Sequence, residues 1–239
     1  MSDGLHDNRK WLLIASAILA LGMVIGGFLL GDGLKRAKMA ERSVTVRGLA
    51  ERDVTADLAT WTIVFTEQGS ELGPVQAAIE EDTRTVRDFF RRAGFKEAEV
   101  TGAGAGVNQF FDSNRGTNSV TVRQRLQLRT TDVMKARAAF ARQFELIRSG
   151  VALEEGTAMV YSFTKLNDVK PAMIAEATQD ARKGAEQFAN DSGTAVGGIK
   201  SATQGYFSIG ARDGEGAGSG NDSPFQKVRV VTTTDFYLD

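Results

Sequence analysis

The chain has no cysteine, and its single histidine is His6. Without cysteine there are no disulfides, no thiol catalysis and no thiolate metal sites. His6 precedes a long apolar segment, so the remainder of the chain lacks an imidazole for a Ser-His-Asp or Cys-His pair or for the usual zinc sites. Paired carboxylates and a Ser-Lys dyad stay open, but no spacing singles out a pair. We therefore predict no catalytic, cofactor-binding or metal-ligating residue, and we expect a protein that is not an enzyme.

An excess of charge of either sign is also lacking. The chain has 29 basic and 30 acidic residues and a net charge of −1. No global field attracts nucleic acid, and we predict no nucleic-acid partner.

Charge is absent altogether from Trp11 to Gly31. A helix of that length crosses a hydrocarbon core roughly 30 Å thick. A cleaved secretory signal would have a shorter apolar core and a small-residue cleavage site, and the residues that follow Gly31 offer no convincing one. We predict an uncleaved anchor that makes the membrane a partner. The predicted organisation is a tail at 1–10, a transmembrane anchor at 11–31, a linker at 32–42 and a soluble domain at 43–239.

The orientation of the anchor stays open. Basic residues occur on both flanks and are more numerous after the helix, at Lys35, Arg36, Lys38 and Arg42. Counting them places the domain in the cytoplasm, but long domains translocate largely regardless of charge. Gly22 and Gly26 match the small-xxx-small motif of helix association, which is also common by chance.

The rest of the chain alternates between strand and helix patterns. Polar and apolar residues alternate in Val120–Thr130, which is typical of an antiparallel sheet covered on one face only. Apolar residues at helical spacing, Ser70 as N-cap and Gly94 as stop predict a helix over Leu72–Ala93. The other predicted helices are Asp132–Leu146 and Asp168–Ser192; the other predicted strands are Ser43–Arg47, Leu58–Glu67, Val100–Phe111, Ala158–Lys165, Ile199–Ile209 and Lys227–Leu238.

These elements predict an α+β fold, with antiparallel sheets covered on one face by helices and preceded by the transmembrane helix. The repeated strand-strand-helix order suggests two related lobes, although no sequence repeat supports them. Ala177, Ala181, Ala185 and Ala189, spaced by four, predict a narrow helix face that approaches a sheet closely.

Three sequence patterns resemble the SIMPL domain, a bacterial domain of unknown function. The first is Val44-Thr-Val-Arg-Gly48, followed by Glu51, Asp57 and Ala59. The second is Ala177-x-x-x-Ala181-Arg182-x-x-Ala185, followed by Gly193 and Gly197-Gly198-Ile199. The third is the terminal strand ending in Asp235-Phe236-Tyr237-Leu238. Ala50 and Ala56 depart from the usual pattern, which often has glycine and proline there; both changes affect a turn.

The resemblance implies a single-pass protein of the bacterial inner membrane with its domain in the periplasm. It also implies ring-like homo-oligomers in some members and a loose link to oxidative stress tolerance. It implies no settled catalytic residues, so none is carried over.

Three further features resemble binding or contact sites. Gly102-Ala-Gly104-Ala-Gly106 resembles a dinucleotide loop, but Val107 stands where that motif needs glycine, so we predict a glycine-containing strand or bulge. Gly210–Asn221 has the carboxylates for calcium but fits no calcium motif, so we predict a surface loop. Arg123, Arg125 and Arg129 form a stripe that is either a solvated face with cross-strand partners or a contact between subunits or pore lining.

The first functional hypothesis is therefore a membrane-anchored, ring-like oligomeric scaffold or vestibule that assembles through exposed strand edges. The alternative is a binding module for a small molecule or envelope peptide, with the ligand between helices and sheet. A carboxylate-dependent hydrolase, which requires a buried Asp/Glu pair in a cleft, is the third.

Overall fold

The computed structural model describes residues 3–40, 42–112, 117–212 and 221–239, and the side chains within 16–34, 42–111, 118–212 and 221–239. The helices are α1 (Asp3–Ala40), α2 (Leu72–Arg92), α3 (Val133–Phe140), α4 (Phe144–Arg148) and α5 (Leu166–Ser192). The strands are β1 (Ser43–Thr55), β2 (Leu58–Gly69), β3 (Val100–Asp112), β4 (Thr117–Thr130), β5 (Ala158–Ser162), β6 (Val196–Gln204), β7 (Ser208–Ala211) and β8 (Phe225–Leu238).

Helix α1 contains the predicted membrane segment. Its stretch Ser16–Leu34 is long and apolar enough to cross a membrane, and none of it is buried against the rest of the protein. A signal sequence can have the same length and composition, so these two properties fit a membrane anchor and a signal sequence alike.

The strands form two antiparallel sheets, as the alternation predicted. One sheet has the order β3-β4-β2-β5. The other has the order β1-β8-β6, with β7 also paired to β8. The chain divides into two compact units: the first comprises Met1–Ala50, Ile174–Gly205 and Val231–Asp239, and the second comprises Glu51–Met173 and Tyr206–Val230.

The core of the second unit is built around Trp61. The alternation in β2 turns this residue toward the helices, where it is fully buried. Its ring meets Phe90 and Phe140 edge to face at 5.2 Å and Phe89 at 5.9 Å. Edge-to-face pairs add about 0.5–1.5 kcal/mol each to the effect of area burial. The predicted helical spacing of α2 therefore places its phenylalanines over the sheet.

The first unit depends on a close approach between α5 and β1. The four alanines predicted to form a narrow face are all buried. A Cβ added at Gly48 would lie less than 3.0 Å from the carbonyl O of Ala177 and from the amide N and Cβ of Ala181. The amide N–H of Leu49 donates to Asp180 Oδ2 at 2.9 Å. Only glycine at position 48 allows the helix to pack this closely on the strand.

Two predicted strands have different ends in the structure. The strand predicted over Ser43–Arg47 continues to Thr55, because Gly48 permits close packing and does not end the strand. The strand predicted over Ala158–Lys165 ends at Ser162, because Thr164 turns away to donate its N–H to Asp57 Oδ1 at 2.7 Å.

Two predicted elements are interrupted. The helix predicted over Asp132–Leu146 is broken after Phe140, where tighter bonds such as Arg142 N–H to the Ala139 carbonyl replace the α-helical pattern. The strand predicted over Ile199–Ile209 is split into β6 and β7, because the register against β8 shifts by one residue between the pairs Gln204–Thr232 and Ser208–Arg229.

The N-termini of α2 and α3 differ in whether a side chain caps them. Ser70 is not the N-cap of α2, because the helix begins at Leu72 and Glu71 occupies the cap position without a side-chain hydrogen bond. Asp132 does cap α3, since its Oδ1 accepts from the Lys135 amide at 3.3 Å.

We predict that Gly48→Ala lowers the free energy of unfolding by about 3 kcal/mol, because the new methyl group must displace α5 from β1. Gly198→Ala is the matched control in the same unit, since a Cβ there meets nothing within 4 Å. The measurement is urea unfolding of the full chain in mild detergent, followed by circular dichroism. Equal stability of the two variants would contradict the packing argument.

Candidate functional site

The most exposed element of the second unit is strand β3. It lies at one end of the β3-β4-β2-β5 order and pairs with β4 over Val100–Asp112. Every described side chain from Thr101 to Phe111 is exposed. The strand at the opposite end, β5, has only five residues. The sheet therefore presents one long edge whose outer backbone groups are available for pairing with another strand.

Glycines shape the first half of this edge. The register between β3 and β4 shifts between Gly102 and Gly104, where Gly104 has φ +142°. The glycine-rich segment is thus a strand with a bulge, as predicted from the misplaced Val107, and it is followed by more strand and not by a helix.

Apolar side chains cover the second half of the edge. Val107 is 54 % exposed, Phe110 66 % and Phe111 58 %. Val107 lies opposite the buried Val122, on the face of the sheet that α2 covers elsewhere. A groove of about 450 Å³ opens at this end of the edge. It is lined by Ser70, Glu71, Leu72, Gln109, Phe110, Phe111, Asn118 and Val120.

The predicted arginine stripe lies on the opposite face of the same sheet. Arg123, Arg125 and Arg129 are exposed and lie opposite Thr66, Val64 and Thr60 of β2. Arg123 Nε contacts Glu154 Oε2 at 2.7 Å, and Thr66 Oγ1 donates to Glu154 Oε1 at 2.9 Å. These contacts hold the pKa of Glu154 below its ordinary value. Within the described ranges, Arg125 and Arg129 form no ion pair, so this part of the stripe faces solvent.

Hydroxyl and carboxyl side chains meet on the other sheet, but they do not form a nucleophilic site. Asp235 accepts hydrogen bonds from Ser201 Oγ and Thr45 Oγ1, each at 2.5 Å. The bond from Ser201, followed by the one from Thr45, lowers the pKa of Asp235. A more acidic carboxyl is a weaker base, so it does not activate Ser201. The trio joins three strands and stabilises their register.

One carboxyl pair was not found from the sequence. Asp82 lies in α2 between Ile79 and Val86, on the buried side of the helix, and contacts Glu67 of β2. Its Oδ2 is buried without a hydrogen-bond partner in the part of the chain that the structure describes. Desolvation, followed by the charge and hydrogen bond of Glu67 and the charge of Glu81, raises the pKa of Asp82 to about 6. Two sequence features indicated the pair: a polar residue at a core position of the helix, and Glu67 in the alternating phase of Trp61.

This pair has the composition that a carboxylate-dependent hydrolase requires. Neither side chain lines the groove beside β3, however, and both belong to the packing of α2 on β2. Its measurable effect is therefore on stability.

The glycine-rich segment 210–221 falls partly outside the described residues. Gly210 and Ala211 belong to β7, which corrects the prediction of a loop from Gly210 onward. Residues 213–220, with the carboxylates of Asp213 and Glu215, lie outside the described ranges, so the prediction of a surface loop is not tested there. Among the residues that are described, no group of three acidic or histidine side chains has the geometry to hold a metal ion.

The structure thus defines an α+β domain of two antiparallel sheets that follows an apolar N-terminal helix. The chain belongs to the SIMPL family, described as a protein of unknown function (DUF541), whose family model matches residues 44–236. None of the curated proteins compared with the chain matches it.

The structure explains the family patterns as packing. Gly48, Ala177 and Ala181 form the close contact between β1 and α5. The Arg182 guanidinium lies 5.4 Å from the centre of the Phe236 ring, and Phe236 is buried with Val44 and Ala185. Val44, Ala181, Ala185 and Phe236, taken from all three patterns, therefore meet in the core of the first unit.

We predict that Asp82→Asn raises the free energy of unfolding at about pH 8 by about 1 kcal/mol, after allowance for solvent screening. The native state holds the Asp82 proton more tightly than the unfolded chain does. The stability that this proton provides is therefore present below about pH 4 and is lost as the pH rises through about 6. The advantage of the asparagine variant should disappear toward pH 4.

The measurement is urea unfolding of both proteins across this pH range. Asp88→Asn is the control on the same helix, because the Asp88 side chain is about half exposed and pairs with Arg91 at 2.7 Å. A pH-independent difference for Asp82→Asn, or the same pH profile for the control, would contradict the argument.

Proposed function

We propose that this protein is a membrane-anchored envelope protein whose domain assembles into a ring-like homo-oligomer that serves as a scaffold or vestibule. The observation that carries the proposal is strand β3. Thirteen residues of unprotected strand extend about 40 Å. Its apolar side chains Val107, Phe110 and Phe111 give the edge a hydrophobic component besides its backbone hydrogen bonds.

A second copy of the chain is the occupant that these features favour. Exposed, long and apolar edges pair readily with other strands, and proteins that stay monomeric usually shorten or charge them. The segment Thr101–Phe111 has no charged residue. A bulge also interrupts strand pairing, but the bulge at Gly102 and Gly104 leaves the apolar half of the edge unprotected. A head-to-tail contact between strand edges closes into a ring when the rotation between copies permits it.

The N-terminal helix supports the same proposal. Ser16–Leu34 would confine each copy to one membrane plane and raise its local concentration, so weak contacts between edges suffice for assembly. The family resemblance favours a periplasmic domain. The exposed Arg125 and Arg129 would then lie on a face that neighbouring copies or a central opening can use.

The groove beside β3 favours a second candidate function, the capture of an envelope peptide. An extended peptide can add to a free edge as a further strand while its side chains enter adjoining pockets. The groove lined by Leu72, Phe111 and Val120 would provide such a pocket. Under this reading the protein is a monomer whose edge is filled only by the peptide.

We predict that the double variant Phe110→Glu/Phe111→Glu loses assembly, because charges on the apolar edge oppose pairing. Mass measured by light scattering in mild detergent should fall from several copies to one. Phe144→Glu/Phe188→Glu is the matched control, since these phenylalanines are 65 % and 52 % exposed in α4 and α5. A monomeric wild-type chain, or an unchanged mass for the edge variant, would overturn the proposal of assembly through β3.

We expect an activity reporter fused after Asp239 to be active in its periplasmic form and silent in its cytoplasmic form. The reason is that an uncleaved anchor and a translocated domain place that end outside the cytoplasm. Immunoblotting of the same fusion shows whether the N-terminal segment is retained in the membrane fraction. A signal only from the cytoplasmic reporter would reverse the orientation, and a freely soluble shortened chain would remove the anchor.

A further inference from the structure

The second unit carries a cationic basin that the assembly proposal does not use. It crosses three neighbouring strands, with Glu51 on β1, Lys227 and Arg229 on β8, and Ser208 on β7. Lys227 and Arg229 alternate with the buried Gln226, Val228 and Val230 along β8. Their side chains therefore leave the sheet on the face opposite the core and are open to solvent.

The backbone register places polar groups around one space. Ser208 lies directly opposite Arg229, and Gly210 lies directly opposite Lys227. Gly210 contributes no side chain, and a Cβ there would meet nothing within 4 Å. Arg212 completes the wall, with its guanidinium 4.8 Å from the centre of the Phe225 ring. The enclosed volume is about 290 Å³, which exceeds the size of a single phosphate group and leaves space for a substituent.

The charges in this basin are not balanced. Two cationic side chains, Lys227 and Arg229, share the one carboxylate of Glu51. Lys227 Nζ lies 3.4 Å from Glu51 Oε2, and Arg229 Nε lies 3.6 Å from Glu51 Oε1. Charge-assisted hydrogen bonds measure about 2.7–2.9 Å, so Glu51 is shared between the two cations without a close bond to either. Among the described residues of the basin, Lys227 and Arg229 therefore carry one more charge than Glu51 balances.

We propose that this basin binds a phosphate group, with Arg229 and Lys227 as the charge partners and Ser208 as a hydroxyl donor. A guanidinium matches the oxygens of phosphate with two parallel donors, and an ammonium adds a point charge. Glu51 competes with the bound anion for the same two cations. Phosphate therefore binds this site with low affinity, because the carboxylate of Glu51 competes with it.

The first test is titration calorimetry of the full chain in neutral detergent with inorganic phosphate as the probe. Arg229→Gln and Lys227→Gln should each weaken phosphate binding by about threefold or more, whereas Glu51→Gln should tighten it by about the same factor. The gain in Glu51→Gln cannot come from unfolding. Arg91→Gln is the control, because Arg91 is an exposed arginine paired with Asp88 on α2, outside the basin.

The outcomes separate clearly. Opposite changes for the Glu51 and Arg229 variants, with the control unchanged, support the site. The proposal is overturned if neither the wild type nor Glu51→Gln binds phosphate up to about 50 mM. Equal weakening by Arg91→Gln would also overturn it, since binding would then follow only the net charge.

A second arm distinguishes the source of the phosphate. The chain is placed in nanodiscs of phosphatidylcholine, with or without phosphatidylglycerol, and titrated with inorganic phosphate. If phosphatidylglycerol abolishes the binding of inorganic phosphate, the basin binds a lipid headgroup. If inorganic phosphate binds equally in the two kinds of nanodisc, the basin binds a free phosphate compound. Because the basin does not include β3, these results do not depend on assembly, and the mass of the edge variant tests assembly separately.

Discussion

Close packing of α5 on β1 is the contact on which the family-defining part of the structure depends. Alanines spaced by four remove the side-chain bulk of the helix, and Gly48 removes it from the strand. The backbone contact from Leu49 to Asp180 forms only at that short separation. Substitutions that add one carbon there oppose the whole interface, because a packed core has little free space to absorb it.

This contact changes how the family patterns are interpreted. A pattern that runs through a strand, a helix and a terminal strand can indicate a site assembled from three places in the chain. Here the same residues form a core, a cation–ring contact between Arg182 and Phe236, and the hydroxyl–carboxyl trio centred on Asp235. These parts of the patterns therefore identify how the first unit folds, whereas Glu51 of the first pattern lies at the surface, in the basin.

Sequence reasoning predicted most elements because the alternation and the helical spacing are strong in this chain. The alanine face of α5 and the bulged glycine strand lie as their local patterns predicted. Two predicted bounds are wrong because the local pattern does not show how the chain packs there. The strand predicted over Ser43–Arg47 stops before Gly48, whereas in the structure it continues through Gly48, which admits a helix. No glycine or proline marks the break after Phe140, so the sequence around it predicted a continuous helix.

The candidate sites were harder to predict for a different reason. The basin joins Glu51 to Lys227 and Arg229, residues distant in sequence whose proximity follows only from the order β1-β8. The Glu67–Asp82 contact likewise requires the phase of a helix and of a strand to be known together. The exposed edge could be suspected from the apolar residues after the glycines. Its position at the end of the sheet needed the strand order.

The chain has no cysteine and its one histidine is His6, and the interactions proposed above are noncovalent. The second unit presents two such interactions on different surfaces. The β3 edge offers backbone pairing with apolar side chains, which favours another strand, while the basin on β8 offers cations around a shared carboxylate, which favours an anion. The first is insensitive to moderate salt and the second is weakened by it. Assembly and anion binding are therefore separable by ionic strength as well as by substitution, and a scaffold built through the edge would keep the basin free for a ligand.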